Sequence, residues 1–209
     1  MQPQRLFDEA IRRIDAANRE DPRTEMADGE FQPREWLFAR RVFQWVERLT
    51  PSASEELLLA ARAHTVRRWI IPRDRYPRTV AGYHQWRDAL AQFHANEAEQ
   101  ILREVGYPSD KIQAVRAFVT KANWPGNPEA RILEDADCLV FLETKLDGYI
   151  DAWGENKTLR ILRKTLRKMT PDAQARALGL NLGPRERAIV LRAAAAKGPG
   201  SPTDSSPDS

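Results

Sequence analysis

Apolar side chains recur at three- and four-residue intervals along most of the chain, punctuated by prolines, glycines and capping hydroxyls, while alternating stretches of β-branched residues are almost absent. A segment with that period buries one face only as a helix, so the fold class is all-α. With 209 residues, 42% of them hydrophobic, the chain can bury one substantial core and is too short for two large domains.

Local signals place the helices. The spacing predicts a first helix over about Arg5 to Ala17, then a loop carrying Pro22, Asp28, Gly29 and Pro33. Pro33 suits the first turn of a helix reading Trp36, Leu37, Phe38, Val42, Phe43, Trp45, Val46 and Leu49. Ser52 and Glu55 have capping-box spacing ahead of Leu57 to Ala61, a helix apolar nearly all round and therefore buried. Pro72 and Pro77 interrupt the next stretch. A long helix over Thr79 to Val105 ends at Gly106, and Ser109 caps another to about Ala122. Asn127-Pro128 opens a helix that continues toward Trp153; Glu155 to Met169, Pro171 to Leu178 and Pro184 to Lys197 complete the series. The expected organisation is one helical domain over 1–197, its core at about 33–153 and its last helices at about 155–197. The tail at 198–209, all Gly, Pro, Ser, Thr and Asp, has no apolar residue to offset its ordering entropy and is expected to be disordered.

Several functions find no support. The first thirteen residues lack the apolar stretch of a secretory signal, and no apolar run is long enough to cross a bilayer. The one cysteine, Cys138, builds neither a disulfide framework nor a cysteine metal site, and a cytoplasmic location is expected by exclusion. A net charge of +3, from 33 basic and 30 acidic residues, does not predict nucleic-acid binding by itself. There is no glycine-rich phosphate loop, no G-x-S-x-G turn and no H-E-x-x-H pair.

What remains is polar residues forced toward apolar surroundings. Glu134, Asp135 and Asp137 directly precede the run Cys138 to Leu142, and His64 follows Ala60 and Ala61 on another apolar helix. Buried ions need partners, and Arg67, Arg68, Lys121, His94 or a metal ion are the candidates. Such a cluster is either a salt-bridge network or a ligand site. From Arg67 to Arg87, six arginines alternate with Trp69, Tyr76, Tyr83 and Trp86. Guanidinium forks hold phosphate and aromatic faces stack on bases, although the same pattern serves a packed core with a solvated rim. His94 shares a helix face with Glu97, whereas His84, beside Tyr83 and Trp86, reads as a packing residue. The amphipathic stretch Lys157 to Lys168 sets Leu159, Leu162, Leu166 and Met169 against its bases, which form either a solvated face or a surface for RNA.

Together, Ala60-Ala61-Arg62-Ala63-His64, Arg68-Trp69-Ile70-Ile71-Pro72-Arg73, Tyr76-Pro77, Gly82-Tyr83, Trp86-Arg87, Gly106-Tyr107 and Glu134-Asp135 with Cys138 to Glu143 resemble the family called domain of unknown function 4202, over about Phe7 to Met169. Members are sometimes labelled glutamyl-tRNA synthetases, but this chain has neither the nucleotide-binding α/β domain nor the signature motifs of that enzyme. The order of elements also resembles a weakened HD-superfamily domain, the helical fold of metal-dependent phosphohydrolases. That resemblance implies that His64 and Asp137 bind a divalent metal, Asp137 lying in the Ala136-Asp137-Cys138-Leu139 context. Thr65 stands where the family's paired Asp is expected and the helix Arg34 to Leu49 has no His, so Asp135 or His94 would have to substitute.

The resulting expectation is a central pocket lined by His64, Arg68, Arg73, His94, Glu134, Asp135 and Asp137 that binds a phosphorylated small molecule such as a nucleotide. Arg67, Arg68, Arg73, Arg87 and Lys121 would hold phosphate; His64, Asp137 and Asp135 would hold one divalent metal; Glu134 or His94 would move protons in hydrolysis. The alternative is a noncatalytic module binding RNA or protein, with no membrane involved in either case.

Overall fold

The structure, a computed structural model, describes residues 3–122 and 126–195. Its elements are α1 (Pro3–Arg19), the strands β1 (Thr24–Ala27) and β2 (Glu30–Pro33), α2 (Arg34–Leu49), α3 (Glu55–Ala63), two single 3₁₀ turns, then α4 (Val80–Val105), α5 (Ser109–Thr120), α6 (Pro128–Thr144), α7 (Leu146–Lys168), α8 (Pro171–Leu178) and α9 (Pro184–Ala195). The all-α class is the observed one, apart from the β1–β2 hairpin. The predicted tail lies outside the described residues. None of the described helices is long and apolar enough to cross a membrane.

The hairpin replaces the predicted loop. Asp28 and Gly29 both take positive φ, 53° and 84°, and the strands pair antiparallel with Ala27 opposite Glu30. A two-residue turn of that hand matches the twist of the strands, and Asp-Gly is a favoured pair for it. Pro33 ends β2 with extended ψ and does not enter the helix; α2 begins at Arg34. Its first turn is held from a distance, because buried Asp21 accepts from the Glu35 N–H (3.1 Å) as well as from Arg23. Ser54, not Ser52, caps α3. The Ser54 hydroxyl accepts from Leu57 N–H (3.1 Å) while Glu129 of α6 accepts from both its N–H and its hydroxyl.

The chain divides into two compact units, the first ending at Val140 and the second starting at Phe141, a boundary within α6. In the first unit α3 packs on α1, α2, α4 and α5, as its nearly all-round apolar surface predicted. Leu57, Leu59, Ala60, Ala61 and Ala63 are fully buried, together with Ile14, Leu90, Leu102, Ile112 and Leu139. Arg62 is buried too, held by Asp15 of α1 through two bonds of 2.5 and 2.6 Å.

In the second unit α7 packs on α9, with Leu146, Ile150, Leu162 and Ile189 fully buried. The helix predicted to run to Trp153 stops at Thr144, and Gly154 (φ 74°, ψ 162°) breaks α7 into two pieces. That conformation is open essentially to glycine alone. The buried Thr158 hydroxyl donates to the Gly154 carbonyl (2.9 Å), one turn back at the break.

Candidate functional site

The site is built where α3 ends. His64 is the C-cap of α3, and after Thr65 and Val66 the chain reverses at Arg67 in a left-handed conformation (φ 52°). A non-glycine residue holds that conformation only when its surroundings enforce it. Fully buried Asn18 of α1 does so, accepting from Arg67 N–H (3.2 Å) and donating to the Arg62 carbonyl (3.4 Å). The reversal leaves the His64 side chain facing α6 and presents the Val66 carbonyl to α4.

His64 Nε2 then lies 3.4 Å from Asp137 Oδ1, and its Nδ1 lies 3.0 Å from the Ala61 carbonyl. Both partners are acceptors, so the two contacts are satisfied together only when the ring carries both protons. Burial works to raise the Asp137 carboxyl, but the hydrogen bond and charge of His64, with the charges of Lys121 and Arg87, outweigh it and hold the group well below the usual carboxylate range.

His94 of α4 is 3% exposed, and its Nδ1 lies 2.8 Å from the Val66 carbonyl. A carbonyl only accepts, so Nδ1 carries the proton and Nε2 keeps a lone pair, which has no hydrogen-bond partner among the described residues. Burial, reinforced by the charges of Arg68, His64 and Arg87, pushes this imidazole down to about 3 and keeps it neutral. His64 and Arg87 act on both His94 and Asp137, which ties these residues into one cluster. The Thr65 hydroxyl, where the HD resemblance expects a carboxylate, is also buried without a hydrogen-bond partner among the described residues.

The other predicted residues divide. Lys121, left-handed at the end of α5 (φ 59°), forms an ion pair with Glu134, so these two join the cluster through α6. Arg87 is half-buried and has no carboxylate within 4 Å among the described residues. Arg68 sits over the Trp86 ring at 5.0 Å. Asp135 is almost wholly buried, but two residues along a helix turn a side chain by about 200°, so it projects from a different side of α6 than Asp137. Arg67 goes elsewhere, pairing with Glu20 (2.9 Å) and Glu97 (3.0 Å) beside a groove of about 250 Å³ that Arg13 and Glu104 also line. Arg73 is spent on the chain itself, donating to the Tyr76 and Pro77 carbonyls at 2.8 Å. Trp86 anchors the same loop through Nε1 to the Ile71 carbonyl (3.0 Å), which makes it a platform for arginine. His84, expected as a packing residue, is exposed and touches only the ring of its neighbour Tyr83, edge-on, among the ring contacts of the described residues.

A divalent metal of the kind the HD resemblance implies would find His64 Nε2 and Asp137 Oδ1 as a pair. Among the described residues no group of three His, Cys, Asp or Glu side chains is placed to hold a metal. Sequence reasoning did not find Asn18, whose role depends on a turn 49 residues away, or the buried Thr65 hydroxyl, which read only as a lost ligand.

Comparison with known proteins finds no match among the curated proteins or the solved structures. A family model does match, over residues 8–190, which takes in every residue of the cluster and runs beyond Met169. On that extent the chain belongs to the family described as Domain of unknown function (DUF4202).

Proposed function

We propose that the His64 cluster binds a phosphate-containing small molecule, with a nucleotide the favoured class. The observation that carries this reading is the set of positive groups around a buried neutral acceptor: Arg68, His64 and Arg87 all act on His94. Only one carboxylate, Asp137, is close enough to His64 to pair with it among the described residues. An anion is the species that such a field attracts, and its desolvation is offset by cations already held in place. In this reading Arg87 and Arg68 contact phosphate oxygens, Lys121 exchanges Glu134 for a third, and His94 Nε2 accepts from a ligand hydroxyl or amino group.

The test is titration calorimetry of the full chain with ADP and with pyrophosphate, in chelator and at low salt. Binding is expected for both, and Arg87→Ala weakens it at least tenfold while leaving the circular dichroism spectrum unchanged. Absence of heat with either ligand, or equal affinity in the variant, sinks the proposal.

A further inference from the structure

The second unit carries a separate charged surface. Past the Gly154 break, α7 buries Leu159, Leu162, Leu166 and Met169, and the opposite side bears Arg160, Arg163, Lys164, Arg167 and Lys168, all exposed. Their three- and four-residue spacings line them along one helix side over about 12 Å. None has a carboxylate within 4 Å among the described residues. The acids on either side of the break are occupied instead: Asp151 pairs with Arg185 of α9 (2.6 Å) and Glu155 with Arg192 (2.9 Å). At the near end of the cationic side stands Trp153. It packs edge-on against Tyr149 with 45% of its surface open, and the Lys157 ammonium rests 4.5 Å from its ring centre.

We propose that this side of α7 docks single-stranded nucleic acid, the phosphates along the five cations and one base on Trp153. An unpaired row of cations complements a phosphodiester chain, and an open indole beside it supplies the stacking surface that single strands use. A base stacking there displaces the Lys157 ammonium from the ring face. An anionic lipid surface fits less well, because peripheral helices insert an apolar face and the leucines of this helix are already buried in the second unit.

The experiment is fluorescence anisotropy of the full chain with a labelled oligoribonucleotide of about 15 nucleotides across a salt series, with sedimentation on vesicles containing phosphatidylserine in parallel. Five contacts predict a slope of log affinity on log salt approaching about −3.5, and the triple variant Arg163→Gln, Lys164→Gln, Arg167→Gln reduces it by about 2 while binding at least tenfold more weakly. Trp153→Ala weakens binding at an unchanged slope. Arg87→Ala, in the other unit, leaves oligonucleotide affinity within twofold, so failure here and failure of the small-anion site are distinguishable. The proposal is overturned by no binding at low salt, by a triple variant equal to the parent, or by vesicle binding that matches oligonucleotide binding.

Discussion

His64 and Asp137, 73 residues apart in the chain, face each other at 3.4 Å, ring nitrogen to carboxylate oxygen. The Asp137 side chain is one-third exposed, so the pair contributes little to stability, and Asp137→Asn is expected to cost less than about 1 kcal/mol in urea denaturation. Its effect on ligand is larger and of a definite sign. Removing the carboxylate takes a negative charge from beside His64 and Arg87 while Glu134 still pairs with Lys121, so pyrophosphate binding in chelator should tighten several-fold. Weaker binding would mean that the carboxylate itself reaches the ligand.

Acid should destabilise the protein through His94. Its folded pKa, about 3, lies below the ordinary value of 6.5, so the unfolded chain binds the extra proton first and stability falls as pH drops from about 6.5 toward 3. Between pH 7 and pH 5, above most carboxylate titration, the loss from this one group is on the order of 2 kcal/mol. Chemical denaturation at the two pH values should show it, and His94→Phe should remove most of it. A variant with the full parental pH dependence would assign the loss to another group.

Arg62 and Asp15 form a buried bidentate pair, their side chains 9% and 19% exposed. Asp15→Ala leaves a guanidinium with its charge uncompensated among apolar helices, and about 3 kcal/mol of stability should be lost. The double variant Asp15→Ala, Arg62→Met should recover part of that loss, since no charge is then stranded. Equal losses in the single and double variants would show that packing, not charge, governs the position.

Gly82 lies in the first turn of α4 against the Tyr76–Pro77 segment. A Cβ there would stand 2.3 Å from the Pro77 carbonyl oxygen. Alanine gains about 1 kcal/mol of helix propensity but forces α4 and that backbone apart, so Gly82→Ala should lower stability by about 1–2 kcal/mol net. An unchanged or higher melting temperature would show that the segment yields freely.

What could be read from the sequence was local. Thr79, Gly106 and Thr170 mark helix ends with groups within three residues of the backbone they satisfy, and each stands at a helix end in the structure. Ser52 misled because its spacing to Glu55 is correct, whereas Ser54 won through Glu129, 75 residues away. The same limit governs the site. Arg67 and Arg73 belong to a run that reads as a phosphate patch, yet their partners Glu20, Glu97 and the Tyr76 and Pro77 carbonyls become visible only once the chain is folded. The four-residue strands around Asp28-Gly29 were too short for their alternation to stand out.

Gly154 separates two rotational phases. Because the backbone there leaves the helical region, the helical phase of Leu146–Trp153 does not carry into Glu155–Lys168, and the two are related by contacts such as Thr158 on the Tyr149 carbonyl and Lys157 on the Trp153 ring. A residue inserted at the joint disturbs these contacts and leaves both helical phases intact. One inserted a single turn later swings every following side chain by about 100°, turning arginines inward and leucines to water. The tolerance of this helix to length change is therefore confined to one glycine.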